Sequence, residues 1–229
     1  MKKLLIFDLD NTFYRYENSH KAGMLRVFHH QNIFQDLEKF TEAYNQARKV
    51  SKPPLVNSAS SHNRAIYFKN MLDLVGSKEY KLVNTFTDLY WEAFIESGDV
   101  TKQVKDLITR NKAKDIQYHL YTNMTTDIQI QKISTWGLDF FDKIVTSEEV
   151  GAEKPSKKFE EFVIEDLEKL EGLGYNFYAI GDNIENDLKP WKIRFNADTF
   201  LINNNSKSQY VDYSLSVSYT HLTLPTKGK

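Results

Sequence analysis

The chain of 229 residues sets 30 Lys and Arg against 31 Asp and Glu, a formal net charge of −1 with histidines neutral. So even a balance gives no bulk attraction to nucleic acid or to anionic lipid, and no apolar run approaches the roughly 20 residues of a membrane span. Cysteine is absent, which excludes disulfides and thiolate chemistry and fits a reducing compartment, so a cytoplasmic protein of one large or two smaller domains is expected.

Lys3-Leu4-Leu5-Ile6-Phe7 reads as a short buried strand, and it runs into Asp8-Leu9-Asp10-Asn11-Thr12. Carboxylates two positions apart on an extended chain point to one side, and their repulsion raises a pKa unless a positive charge intervenes. An Asx-type turn would equally account for Asp and Asn here. From residue 18 to residue 98 the pattern is helical. Leu37, Phe40, Tyr44 and Ala47 recur at spacings of three and four, as do Leu82, Phe86, Leu89 and Ala93. Pro53-Pro54 breaks this region, and Gly76 closes a helix carrying Tyr67, Met71, Leu74 and Val75.

Beyond Gly98 strands and helices alternate. A helix with Val104, Leu107 and Ile108 leads to a strand over residues 116–121. A helix through Ile133 and Trp136 stops at Gly137, and Lys143–Thr146 is a strand. Pro155 opens a helix carrying Phe159, Val163, Leu167 and Leu170, and strands follow over 177–180, 199–202 and, as a last edge, 210–213. The alternation predicts an α/β fold: a doubly wound parallel sheet, Rossmann-like, with helices on both faces. The first strand has no neighbour until about residue 116. The expected organisation is therefore a core of residues 1–14 and 99–216 with an all-helical cap, residues 15–98, inserted after the first strand.

Open parallel sheets bind ligands beyond the carboxyl ends of their strands. Those ends deliver Asp8 and Asp10, then Thr122 and Asn123, then Lys154, then Asp182 with Asp187 five residues on. The acids alone would repel. A hard cation such as Mg²⁺ removes the penalty, and Thr122, Asn123 and Lys154 supply what a phosphoryl group needs beside a metal. With no cysteine, and no histidine near these ends, the constellation reads as phosphoryl transfer through an aspartate nucleophile.

DLDNT, YTN, EKPSKKFEEF and GDNIENDLKP, in this order, resemble the four motifs of the haloacid dehalogenase superfamily, in its subgroup with a helical cap. The resemblance implies Asp8 as nucleophile and Asp10 as general acid and base, with the Asp10 backbone carbonyl also lent to Mg²⁺. It implies Thr122 and Asn123 as phosphate binders and Lys154 as the balance to charge on Asp8. Asp8 and Asp182 would bind the metal, and Asp187 would join them or hold Asp182 or a metal-bound water. The implied function is a Mg²⁺-dependent phosphatase that hydrolyses a small phosphorylated metabolite, a nucleotide or sugar phosphate, through an aspartyl-phosphate. A phosphomutase of the same fold is the alternative, and a phospho-accepting signalling domain a remote one. Partners other than a small phosphorylated substrate, nucleic acid and membrane included, are not expected.

Taken singly, these motifs have plainer readings: a helix start at Lys154-Pro155, a turn at Gly181-Asp182-Asn183, a helix cap at Thr122. In the cap, His20, His29, His30, Lys52 and Arg64 read as surface or scaffold, Tyr14 as packing, and Trp91, Trp136 and Trp191 as core or interface. Residues 217–229 show neither helical nor strand periodicity. They look like translated adapter sequence and read as a non-native tail.

Overall fold

The computed structural model of the protein describes residues 1–98, 100, 115–202 and 206–215. The expected helix around Val104 and the tail from 217 onward lie outside them. Six strands form one parallel sheet: β1 (Lys2–Phe7), β2 (Ile116–Thr122), β3 (Lys143–Thr146), β4 (Tyr175–Gly181), β5 (Asp198–Ile202) and β6 (Tyr213–Leu215). Their order is β3-β2-β1-β4-β5-β6. The order reverses between β1 and β4, which makes the crevice beyond their carboxyl ends the expected ligand site.

The period of two along β1 assigns its side chains to two cores. Leu4 and Ile6 join Tyr121, Val145, Phe159, Val163 and Leu167 on one face. Leu5 and Phe7 pack with Tyr118 and Leu120 on the other. Helices cover both faces. Between β1 and β2 come α1 (Tyr16–His30), α2 (Leu37–Ser51), α3 (Arg64–Leu74) and α4 (Lys81–Glu96), with a short 3₁₀ turn at Pro53–Leu55, where the two prolines interrupt the helical pattern, and another at Ala59–His62. Then follow α5 (Thr126–Trp136), α6 (Ser147–Val150), α7 (Lys157–Gly172) and α8 (Lys189–Phe195). None of the described helices is long and apolar enough to cross a membrane.

The helical block shares one continuous core with its face of the sheet. Phe40, Tyr44, Phe68, Phe86, Tyr90 and Phe94 are fully buried together with Leu120 and Leu138. Each such side chain contributes about 1.5–3 kcal/mol by leaving water. Trp136 pins α5 to the block by donating its indole N–H to Ile95 O at 2.9 Å.

Several boundaries differ from the sequence expectation. The buried stripe of α3 is Tyr67, Phe68, Met71 and Leu72, while Leu74 and Val75 stand 45% and 40% exposed at its end. α7 begins at Lys157, two residues after Pro155, because the Ser156 hydroxyl accepts from Phe159 N–H and caps the first turn. The edge strand runs over 213–215 rather than 210–213. Residues before it turn inward so that Asp212 accepts from Thr199 N–H at 2.9 Å and from Lys192 at 2.7 Å. Gly137, the expected stop of α5, has φ 65°, a left-handed conformation that glycine takes without penalty.

Candidate active site

The end of β1 continues its ladder by one residue: Asp8 N–H donates to Ile180 O at 3.0 Å. The chain then turns tightly, with Phe13 N–H on Leu9 O and Asn11 at φ 61°. Asp8 and Asp10 thereby leave the strand pointing into separate networks, each with its own lysine.

Asp8 belongs to the first network. Lys154 Nζ sits 2.9 Å from Asp8 Oδ1 and 2.7 Å from Asp187 Oδ1, and donates to Tyr121 O at 2.5 Å. All three side chains are nearly inaccessible. Burial pushes the Lys154 amine down, but Asp187 and Asp8 outweigh it and hold the ammonium well above its usual range. Asn123 fixes the lysine from behind: its Oδ1 accepts from Lys154 N–H at 2.7 Å and its Nδ2 donates to Lys154 O at 3.1 Å.

Asp187 arrives through an unusual approach. A Cβ placed on Gly181 would lie 2.4 Å from Asp187 Cβ, so only glycine lets the end of β4 pass under that carboxylate. A single π-helical turn, Ile184–Leu188, carries Asp187 back over the strand, and its Oδ2 accepts from Asn183 N–H at 3.0 Å.

Oxygens of Asp8, Asp182 and Asp187 all lie within 4.8 Å of one another. One lysine does not neutralise three acids. Burial raises the Asp8 carboxyl well above its usual range even against Lys154, with Asp187, Asp10 and Asp182 adding to the rise. Burial and Asp187 push Asp182 up to about 6. A compact, oxygen-only donor set whose members repel one another suits a hard divalent cation such as Mg²⁺.

The second network surrounds Asp10 and was missed from the sequence. Lys132 Nζ lies 2.6 Å from Asp10 Oδ1, and Gln129 Nε2 donates to Asp10 Oδ2 at 3.0 Å. Tyr14 donates its hydroxyl to Asp10 as well, while its ring packs on Phe94 and Trp136. Burial alone would push Asp10 up; the Lys132 charge and these hydrogen bonds override it and hold the carboxyl below its usual value. The lysine that pairs with the Asp10 side chain is thus Lys132, not Lys154. Gln129 also donates to Thr122 Oγ1 at 2.6 Å.

These elements enclose a cleft of about 370 Å³. Asp8, Asp10, Asn123, Lys154, Asp182 and Asp187 line its core side, whereas Thr122 is fully buried and is not part of the wall. The helical block contributes Tyr16, Arg48, His62, Arg64, Tyr67 and Trp91. Arg64, read as surface or scaffold, is 4% exposed. His29 and His30 are exposed, in keeping with the surface reading. Trp136 and Trp191 are core residues, and Trp91 is both core and wall.

Residues 2–191 match the model of the haloacid dehalogenase-like hydrolase family. Over 193 residues the chain is 32% identical to a ribulose-1,5-bisphosphate 5-phosphatase of Halopiger xanaduensis, covering 82% of this chain and 80% of that protein. It is 24% identical over 200 residues to a glyceraldehyde 3-phosphate phosphatase of Methanocaldococcus jannaschii, covering 84% and 81%. Among solved structures, the magnesium-bound putative hydrolase YfnB of Bacillus subtilis superposes with a TM-score of 0.68 at 20% identity, covering 93% of this chain and 94% of that one. A family match that takes in β1 to β4 and the acid-bearing strand ends settles the assignment: the chain belongs to the haloacid dehalogenase-like hydrolases.

Proposed function

We propose that the protein is a Mg²⁺-dependent phosphatase of a small sugar phosphate, working through a phosphorylated Asp8. The observation that carries this reading is the position of Asp8: at the end of β1, 2.9 Å from Lys154 and grouped with Asp182 and Asp187. The two phosphatase names among its relatives support the substrate class.

Asp8, Asp182 and Asp187 would hold the cation, with Asp10 adding only its backbone carbonyl because its side chain is turned to Lys132. Bound there, Mg²⁺ supplies charge neutralisation for the phosphoryl oxygens and the attacking carboxylate. Lys154 does the same from the protein side, and Asn123, which lines the cleft, has a second amide hydrogen beyond the one it gives Lys154. Thr122, buried on Gln129, anchors that strand end rather than the wall.

An Asp8 oxygen attacks phosphorus, the ester P–O bond breaks, and Asp10 donates a proton to the leaving alkoxide. Asp10 then takes a proton from water as the water oxygen attacks phosphorus, and the acyl phosphate bond breaks to return Asp8 and free phosphate. Lys132 favours the carboxylate of Asp10, which suits the second half. The negative charge of a phosphoryl group beside Asp10 raises its proton affinity for the first half.

Hydrolysis of an aryl phosphate with Mg²⁺, then with chelator, tests the reading in the parent and in Asp8→Asn. Release of phosphate that needs the metal and vanishes in Asp8→Asn is expected. Turnover that survives in Asp8→Asn, or, with a sugar phosphate in place of the aryl ester, a product that keeps its phosphate as in a mutase, would refute it.

A further inference from the structure

The cleft is electrically polarised. Its core side carries Asp8, Asp182 and Asp187, and its cap side carries Arg48 and Arg64. Arg64 is the more confined. Its Nη1 donates to His62 O at 2.6 Å and its Nη2 to Tyr16 Oη at 2.5 Å, while Nε has no partner. Aromatic rings surround the guanidinium: the centroids of Trp91, Tyr90, Tyr67 and Tyr16 lie 4.9, 5.1, 5.4 and 6.0 Å from its carbon. Among the described residues neither Arg64 nor Arg48 forms an ion pair. Glu153, the remaining acid of the lining, is engaged by His62 at 2.8 Å and by the Ser61 hydroxyl at 2.8 Å.

A guanidinium removed from water without a carboxylate is a costly arrangement unless a ligand completes it. Cation–π contacts offset part of that cost but leave the charge itself unmatched. The neighbours register the excess. Burial, then Arg64 and Arg48, press His20 down to about 4, and burial with the same two arginines lowers Lys52.

Resting on the phosphatase reading above, we infer that the cap wall binds a second oxyanion of the substrate through Arg64 and Arg48. The substrate class is then a phosphate ester with a further phosphate or carboxylate at its other end. One phosphoryl group sits over Asp8 and Lys154, and the far anion takes the guanidinium fork, whose planar donors match either oxyanion. A cleft of about 370 Å³ lies at the small end of ligand pockets (roughly 300–1,000 Å³). It suits a short chain spanning two charged ends rather than a nucleotide.

Three probes on one carbon frame test the inference with the full chain: a pentose monophosphate, the pentose bisphosphate and a phosphorylated pentonic acid. Charge-assisted hydrogen bonds to a fixed cation predict that the parent favours the doubly anionic probes about tenfold to a hundredfold in kcat/KM. That ratio should fall toward one in Arg48→Met and in Arg64→Met. The half-buried Arg48 keeps the test decisive if Arg64→Met does not fold. Preference for the bisphosphate over the acid, or the reverse, identifies the second anion. Binding of the same probes to Asp8→Asn, followed by calorimetry, needs no turnover. Discrimination there, beside a parent chain that hydrolyses none of the probes, would sink the phosphatase reading and keep this one. Equal binding of all three probes, or a ratio that survives in Arg48→Met, would overturn it.

Discussion

Replacing Lys132 with methionine isolates the least anticipated contact of the site. The substitution keeps an unbranched apolar stem against Trp91 and Phe94 but removes the charge 2.6 Å from Asp10. At that separation the Coulomb attraction is about 6 kcal/mol for an effective dielectric of about 20. Desolvation of both ions cancels much of it, and breaking such buried pairs costs about 3–5 kcal/mol. The Asp10 side chain is 26% exposed and keeps Gln129 and Tyr14, which places the expected loss near 3 kcal/mol at pH 7.5. The pH dependence has a definite sign. In the parent, Asp10 is held below its usual value, so its contribution is present above that value and is lost only in strong acid. Without Lys132 burial dominates and raises Asp10, so the variant carries a buried charge at pH 7.5 that protonation relieves on acidification. Urea unfolding in chelator, at pH 7.5 and pH 5, should therefore show a larger difference between parent and variant at pH 7.5. A loss under about 1 kcal/mol at pH 7.5, or an equal loss at both pH values, would refute the assignment of Lys132 as the partner of Asp10.

Gly181→Ala forces a Cβ to 2.4 Å from Asp187 Cβ and should cut kcat/KM by about a hundredfold by moving that carboxylate; near-parent turnover would show that β4 can yield there. Phe68→Ala removes a fully buried ring that touches Tyr44, Phe86 and Tyr90 and should lower unfolding free energy by about 3–5 kcal/mol, as read by urea titration. Asp182, pushed up to about 6, favours its neutral form. The metal-free chain should accordingly gain stability from this group as pH falls from 7 toward 5, and Mg²⁺ affinity measured by calorimetry should weaken over the same interval. An affinity constant across that interval would argue against Asp182 as a ligand.

The acids and the lysine that meet in the cleft were legible because their signals are local. β1 is a run of apolar residues cut by Asp8, and the Gly181-Asp182 and Lys154-Pro155 stretches sit where strands end, so order and spacing were enough to find Asp8, Lys154, Asp182 and Asp187. Lys132 and Gln129 were passed over because α5 was read only through Ile133 and Trp136. Yet Ile128, Gln129, Lys132, Ile133 and Trp136 form one buried stripe at helical spacing. Two polar residues inside an apolar stripe were the available signal. Arg64 offered none. It follows the helix-capping Asn63, where a basic residue reads as solvated, and its burial is made by Tyr16, Tyr90 and Trp91 from elements far along the chain. The misplaced edge strand has the same origin: Asp212 looks like an ordinary strand residue until Thr199 and Lys192 claim its carboxylate.

The central position of β1 governs how the molecule is made. Its two neighbours are β2 and β4, with Lys3 opposite Ile116 and Lys2 opposite Tyr175. During synthesis at about 5–20 residues per second, β1 therefore waits roughly 9–34 s for the second of them to emerge. The intervening helical block can gather its own aromatic core in that time, since its contacts are nearer in sequence. The catalytic strand cannot. The apolar face of Leu4 and Ile6 stays open to solvent and to other chains until α7, whose Phe159, Val163 and Leu167 pack on it, and then β4 arrive. No ligand of the cleft can assist before then, because Asp8 meets Lys154 and Asp187 only when the sheet closes. A shortage of soluble product at high expression rates would trace to that delay, and slower translation should relieve it.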